Sequence, residues 1–238
     1  MSQPDVSVLM TVHNGVANYP EMQLNFALQM AWHEYAEVNV FDDGSTDDTR
    51  DILAWWSRQF DNINLATCNE RLGAASGYRI AASMATGRYC ILQSVRSWYE
   101  EGALKAMAQA LDENPDVGFV YGWTQYHGAQ TNLHKPPPFK RERFFKHFDS
   151  LFGFMFRREA LDAGCEFVSY FERDGRAIDI CDYDFVMQLI CKMGWRGLAL
   201  DRLCLNYHYS GEGQMTNLVH KYQADIDAEF ARRWGQYA

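Results

Sequence analysis

Three stretches of this 238-residue chain hold residue types that can do chemistry. The first is DDGSTDDT, residues 42–49, directly after the apolar run Val38 to Phe41. An acid at such a turn can cap backbone N–H groups, which is the role expected of Asp42. Ser45 or Thr46 would then cap a following helix, with Asp47 and Asp48 in its first turn, where the helix dipole favours negative charge. The second is CDYDFVMQL, residues 181–189, which puts Asp182 at a helix start, where Asp caps well. The third, HKPPPFKRERFFKHFD, residues 134–149, interleaves five Lys/Arg with four Phe. It reads either as a solvated loop with its rings in the core, or as a surface for an anionic acceptor. In the second case Lys135, Lys140, Arg141 and Arg143 would hold the acceptor.

Composition narrows the classes. A formal net charge of −9 argues against tight, non-specific attraction of polyanions. No apolar run reaches the length of a membrane span, and MSQPDVSVLM lacks the basic and apolar regions of a signal peptide. The six cysteines are scattered without a CxxC pair, as expected of reduced thiols in a cytoplasmic protein rather than disulfides or a zinc site.

The elements that must carry these residues alternate. Val6 to Val12 is β-rich, and residues 19–33 repeat Leu24, Ala27, Leu28 and Ala31 at helical spacing. Val38 to Phe41 predicts a strand, and Ile52, Leu53, Trp56 and Phe60 share a helix face. Further strands are expected at 63–66, 89–92, 117–121, 152–156 and 198–207. Helices are expected at 73–85, with Gly87 as terminator, and at 100–114 and 182–193, with Gly194 as a stop. A last helix, 216–234, carries Leu218, Tyr222, Ile226 and Phe230. This is an α/β pattern: a mostly parallel sheet flanked by helices, with ligands at the carboxyl ends of strands.

VSVLMTVHN, VFDDGSTDDT and NERLGAASGYRIAASMATGRY, followed by FGFMFRREALDAG, CDYDFVMQL and a later Tyr-His, resemble the family 2 glycosyltransferases, which have the GT-A fold. The resemblance covers residues 5–210 and implies a single glycosyltransferase-like domain over 1–238. Within it, 1–122 would be the nucleotide-sugar-binding half, 123–215 the acceptor-side half and 216–238 a C-terminal helix. The resemblance implies a nucleotide-diphosphate sugar as donor and base contacts from Thr11, His13 and Asp43. Arg71 and Arg79 would approach the diphosphate, or stand as solvated surface residues. Asp182 matches the family's general base, which takes the proton of the attacking hydroxyl in inverting members. Asp179 and Asp184 are its nearest substitutes.

The family pattern also brings a divalent cation, Mn²⁺ or Mg²⁺, held by an Asp-x-Asp motif. Here the matching positions read Ser94, Val95, Arg96 and Ser97, and a shift of one adds Gln93; no register gives a carboxylate pair. The motif is degenerate. His208 matches a histidine that is a further metal ligand in some relatives, yet it has no carboxylate beside it. Arg96 would replace the metal's charge at the diphosphate, or the site has kept binding and lost catalysis. Two functions therefore stand: a glycosyltransferase, and a non-catalytic nucleotide-sugar or glycan-binding protein on the same scaffold. Glycosylation of a modified base in nucleic acid is a lesser reading of the basic stretch.

Overall fold

The computed structural model describes residues 5–18, 36–145, 153–173, 176–178, 180–209 and 220–238. The helix expected at 19–33, the substitute acid Asp179, and residues 146–149 of the basic stretch lie outside these.

The first strand shows how sequence becomes layers. In β1 (Val6–Val12), Val6, Val8, Met10 and Val12 alternate with Ser7, Leu9 and Thr11, so the two sets point to opposite faces. The first set joins a core under α2 (Thr49–Gln59) and α4 (Ala103–Glu113), through Leu53, Leu104 and Met107. Leu9 joins the opposite core, under α3 (Ala74–Ser83) and α6 (Cys181–Cys191), with Tyr78, Phe156 and Phe185. Two short helices, α1 (Gly15–Asn18) and α5 (Glu159–Asp162), complete the connections on the way.

Beside β1 lie β2 (Ala36–Asp42), β3 (Ile63–Thr67) and β4 (Tyr89–Gln93), all parallel. The three-residue β8 (Met155–Arg157) runs antiparallel between β4 and β6 (Val117–Gly128), so β6 returns to the direction of β4. The long β11 (Arg196–Tyr209) is parallel to β6, with register shifts along the pair. Short antiparallel strands, β5 (Ser97–Tyr99) against β11 and β7 (Leu133–His134) against β6, finish the sheet. The order is β3-β2-β1-β4-β8-β6-β11-β5, with β7 beside β6. The sheet is thus mixed, but its six main strands (β3, β2, β1, β4, β6 and β11) share one direction and one carboxyl edge. A hairpin of β9 (Phe171–Arg173) and β10 (Arg176–Ile178) stands apart.

Several boundaries differ from expectation. The first helix after DDGS begins at Thr49, and the side chain that holds its start is Asp47, whose Oδ1 accepts the Thr49 N–H at 3.0 Å. Ser45 instead accepts the Asn14 N–H at 2.9 Å, bridging two loops. Gly87 does not end α3, which stops at Ser83; it lies against β1, where a Cβ would come within 2.8 Å of the Ser7 nitrogen. Gly194, at φ +69°, does follow α6 as a stop. The closing helix α7 is observed at Gln223–Trp234, and residues 216–219 of the expected one are outside the described set.

Candidate functional site

The carboxyl edge collects the loops that follow β1, β2 and β4. After β1, the His13 Nδ1–H donates to the Asp43 carbonyl at 2.8 Å, tying the loop after β1 to the loop after β2. Asn14 adopts φ +50°, and its Oδ1 accepts the Thr46 N–H at 2.8 Å. This is the turn-forming role its residue type suits.

After β2, neighbouring acids do different work. Asp42 is fully buried, accepting the Ser45 N–H at 3.2 Å and Arg50 Nε at 2.7 Å. Arg50 continues to the Cys68 carbonyl, so the acid also fixes the end of β3. The expected capping role of Asp42 is therefore present, with a guanidinium added to it. Asp43 turns the other way, its Oδ1 accepting the Leu72 N–H at 2.6 Å and its Oδ2 the Gly73 N–H at 3.0 Å. Gly44, directly after the pair and at φ +67°, turns the chain there, a conformation that costs glycine little. A carboxylate has about four lone-pair sites, of which these two bonds occupy two, and Asp43 is 3% exposed.

Asp43 holds the entry to α3, and Thr11 meets its middle. A Cβ at Gly77 would overlap the Thr11 side chain, so glycine is what lets α3 lie on β1 at this height. One residue on, the buried Tyr78 hydroxyl points to the Gln93 carbonyl, 3.4 Å away, at the end of β4. Burial pushes the Tyr78 phenol well above its ordinary range, and the nearby Cys181, Asp182, Tyr99 and Tyr207 add to the rise. α3 therefore links the Asp43 loop and Thr11, and its Tyr78 shares a core with Cys181 and Tyr183 at the start of α6.

α6 is buried on nearly all sides, and nine of its eleven residues are buried; Asp182 is not among them. Its Oδ1 accepts the Tyr183 N–H at 2.9 Å. Asp184 is 1% exposed and accepts Trp234 Nε1–H at 3.0 Å and Gln188 Nε2–H at 2.9 Å. It anchors α7 instead of facing an open site, so Asp182 is the accessible acid of this helix.

After β4, Ser94 to Ser97 form a tight turn. Ser97 Oγ accepts the Ser94 N–H at 3.0 Å, and Ser94 Oγ accepts the Arg96 N–H at 3.2 Å. The Arg96 carbonyl accepts the His208 N–H at 2.8 Å, and its guanidinium carbon lies 5.2 Å from the Tyr207 ring centroid. Gln93 Oε1 and His208 Nδ1 are buried without a hydrogen-bond partner among the described residues.

Other expected contacts are less central. Arg71 is exposed, and Arg79 is half-exposed, paired at 3.7 Å with Glu166. In the basic stretch, Phe139 and Phe144 pack on Phe119, which supports rings in the core over rings on the surface. Arg141 donates to the Ile190 and Tyr237 carbonyls at 3.0 and 3.1 Å, a strut between α6 and the segment after α7. Lys135 lies over Trp123, 3.8 Å from its centroid, while Lys140 is exposed and Arg143 half-buried. Sequence reasoning gave no role to Tyr78 or Tyr207; a tyrosine amid the small residues of α3 was the one visible sign. It also missed Asn206, which donates to Glu100 at 2.5 Å and accepts from His127 at 2.8 Å.

The family model described as Glycosyl transferase family 2 matches residues 7–165, well over half of the chain. The chain belongs to glycosyl transferase family 2. It is 33% identical, over 119 residues, to TuaG of Bacillus subtilis (strain 168), whose name describes a teichuronic acid biosynthesis glycosyltransferase. That match covers 50% of this chain and 46% of TuaG, so the family 2 chain spans about half the length of its curated relative. Among solved structures it resembles S. aureus TarS 1-349 in complex with UDP-GlcNAc, with TM-score 0.69 and 16% identity, covering 89% of this chain and 60% of that one. It also resembles the mannosyltransferase PcManGT of Pyrobaculum calidifontis in complex with GDP-Man and Mn²⁺, with TM-score 0.66 and 18% identity, covering 100% and 66%. At such identities the likeness establishes the shared GT-A fold. Among the described residues no helix is long and apolar enough to cross a membrane.

Proposed function

We propose that this family 2 chain transfers a sugar from a nucleotide-diphosphate sugar to an acceptor hydroxyl, with inversion, and that Asp182 is the base. One observation carries the reading: Asp182 is the accessible acid of a buried helix, and its neighbours Cys181 and Tyr183 share a core with Tyr78 of the same α3 that closes on Thr11 and Asp43. The acceptor oxygen attacks the anomeric carbon as the bond to the diphosphate breaks. The hydroxyl proton passes to the Asp182 carboxylate, and the nucleoside diphosphate leaves with the electron pair. Thr11, His13 and Asp43 would hold the base, within the half up to residue 122. Lys135, Lys140 and Arg143 would favour an anionic acceptor on the other half. The nucleotide-sugar complexes of TarS and PcManGT support the donor class. All six cysteines are free thiols, in keeping with a reducing, cytoplasmic setting.

The test is donor turnover with Asp182→Asn beside the wild type. Loss of general-base assistance should lower kcat by about 10²–10⁴-fold while nucleotide affinity stays within about twofold. An unaltered kcat rejects Asp182 as the base. A second reading, binding without transfer, is favoured by the missing carboxylates at Ser94 to Ser97. Calorimetry showing donor binding, with no sugar released or moved over prolonged incubation, would establish that reading instead.

A further inference from the structure

The turn after β4 is where the family pattern expects a divalent cation, and the residues present do not fit one. A hard dication is held by oxygen ligands, among which a protein site characteristically supplies at least one carboxylate. The turn offers two neutral hydroxyls, and both are occupied with the turn itself: Ser97 Oγ between the Ser94 N–H and carbonyl, at 3.0 and 3.2 Å, and Ser94 Oγ with the Arg96 N–H at 3.2 Å. The unpartnered atoms nearby in sequence and pairing, Gln93 Oε1 and His208 Nδ1, bring no carboxylate either. Among the described residues no three His, Cys, Asp or Glu side chains gather to hold a metal. The charged side chain of the turn is a guanidinium, which repels a dication.

We propose that this site holds the donor diphosphate without a divalent cation, Arg96 supplying the positive charge in its place. The inference rests on the nucleotide-diphosphate reading above and specifies how that ligand is held. Arg96 is fixed at its backbone by the His208 N–H, 2.8 Å from its carbonyl, and at its head by the Tyr207 ring, 5.2 Å from the guanidinium carbon. A cation over an aromatic face is attracted to it and loses little freedom on binding an anion. The Tyr78 hydroxyl lies 3.4 Å from the Gln93 carbonyl, at the start of the turn that carries Arg96, so this turn adjoins the helix that closes on Thr11 and Asp43. The guanidinium fork matches two oxygens of a phosphate, and its charge does not depend on pH. As the bond from the anomeric carbon to the diphosphate breaks, charge grows on the departing oxygens. Arg96 offsets that charge, and no co-reactant is needed.

Binding of nucleoside diphosphates to the intact chain tests this. UDP, GDP, CDP, ADP and dTDP are titrated by calorimetry, first in EDTA and then in Mn²⁺. The best of them should bind with the same Kd, within about twofold, in both buffers. Arg96→Ala should weaken it about tenfold or more, as expected for loss of a charge-assisted contact. Arg96→Lys, which keeps the charge but not the fork, should fall between. Replacing both positions with carboxylates, Ser94→Asp with Arg96→Asp, should make binding depend on Mn²⁺ by about tenfold or more. Circular dichroism melts without ligand confirm that each variant is folded. Wild-type binding that requires Mn²⁺ overturns the proposal and leaves the donor class standing, as does Arg96→Ala binding like wild type. Binding of none of the five in either buffer overturns the donor reading and this proposal with it.

Discussion

Asp42 and Asp43 are neighbours of one type whose carboxylates hold different loops, and each can be tested by itself. Removing the Asp43 carboxylate leaves the Leu72 and Gly73 N–H groups without their acceptor. Asp43→Ala should therefore destabilise the fold by about 2–4 kcal/mol, read from urea unfolding. Asp43→Asn keeps one acceptor oxygen but sets an NH₂ against a second N–H, and should cost about 1–2 kcal/mol in the same experiment. At this scale the sequence was informative about residue type and silent about partners. It indicated that an acid at 42 would cap its own turn, three residues away. It carried no sign that the acid at 43 would bind groups about thirty residues on, because that contact depends on where α3 docks. Asp182 was legible as an acid at a helix start. That Asp184, two residues on, is buried under Trp234 was not, since 3.6-residue periodicity says which side a residue faces but not what will cover it.

Among the elements, α3 and α6 govern the site. Gly77 lets α3 approach β1, so Gly77→Ala should force the two apart, costing about 1–3 kcal/mol in urea unfolding and weakening nucleotide binding at the Thr11 end. α6 is held from the far side by α7. Trp234→Phe keeps a ring but removes the donor to Asp184, and should lower stability by about 1–2 kcal/mol in thermal unfolding. Most of the strands and helices in the described residues were readable from apolar runs and periodicity. β5 and β7 were not: they are three and two residues long and exist by pairing with β11 and β6. β6 was expected to end near Tyr121, where the apolar run stops. It continues through polar residues to Gly128 because β11 and β7 supply partners for its backbone.

For the molecule as a whole, charge and burial make two further expectations. Burial raises the thiols of Cys90 and Cys165, and pushes Cys204 up to about 11. The thiolate is the reactive form, so native alkylation should leave these three intact and begin at the half-exposed Cys68, with urea releasing the rest. Mass spectrometry after timed labelling reads the order. On α7, hydrogen bonding from Arg232, with help from Arg233, lowers Glu229 to about 2. A depressed folded-state value means the stabilisation is present above the ordinary carboxylate range and is lost as pH falls toward 2. Arg232 is 71% exposed, so solvent screens the pair and the loss should stay below about 1 kcal/mol. Melting curves of Glu229→Gln and wild type should converge on acidification and separate near neutrality.

Asp184 also bears on the order in which the molecule is made. Its carboxylate lies in α6, yet the indole that covers it belongs to residue 234, and Arg141 waits for the carbonyl of residue 237. On the ribosome, α6 is synthesised some forty residues before either partner emerges. Until then a solvated acid must sit in a helix otherwise destined for the interior, so the helix bearing the proposed base should settle only once residues 234–237 have emerged.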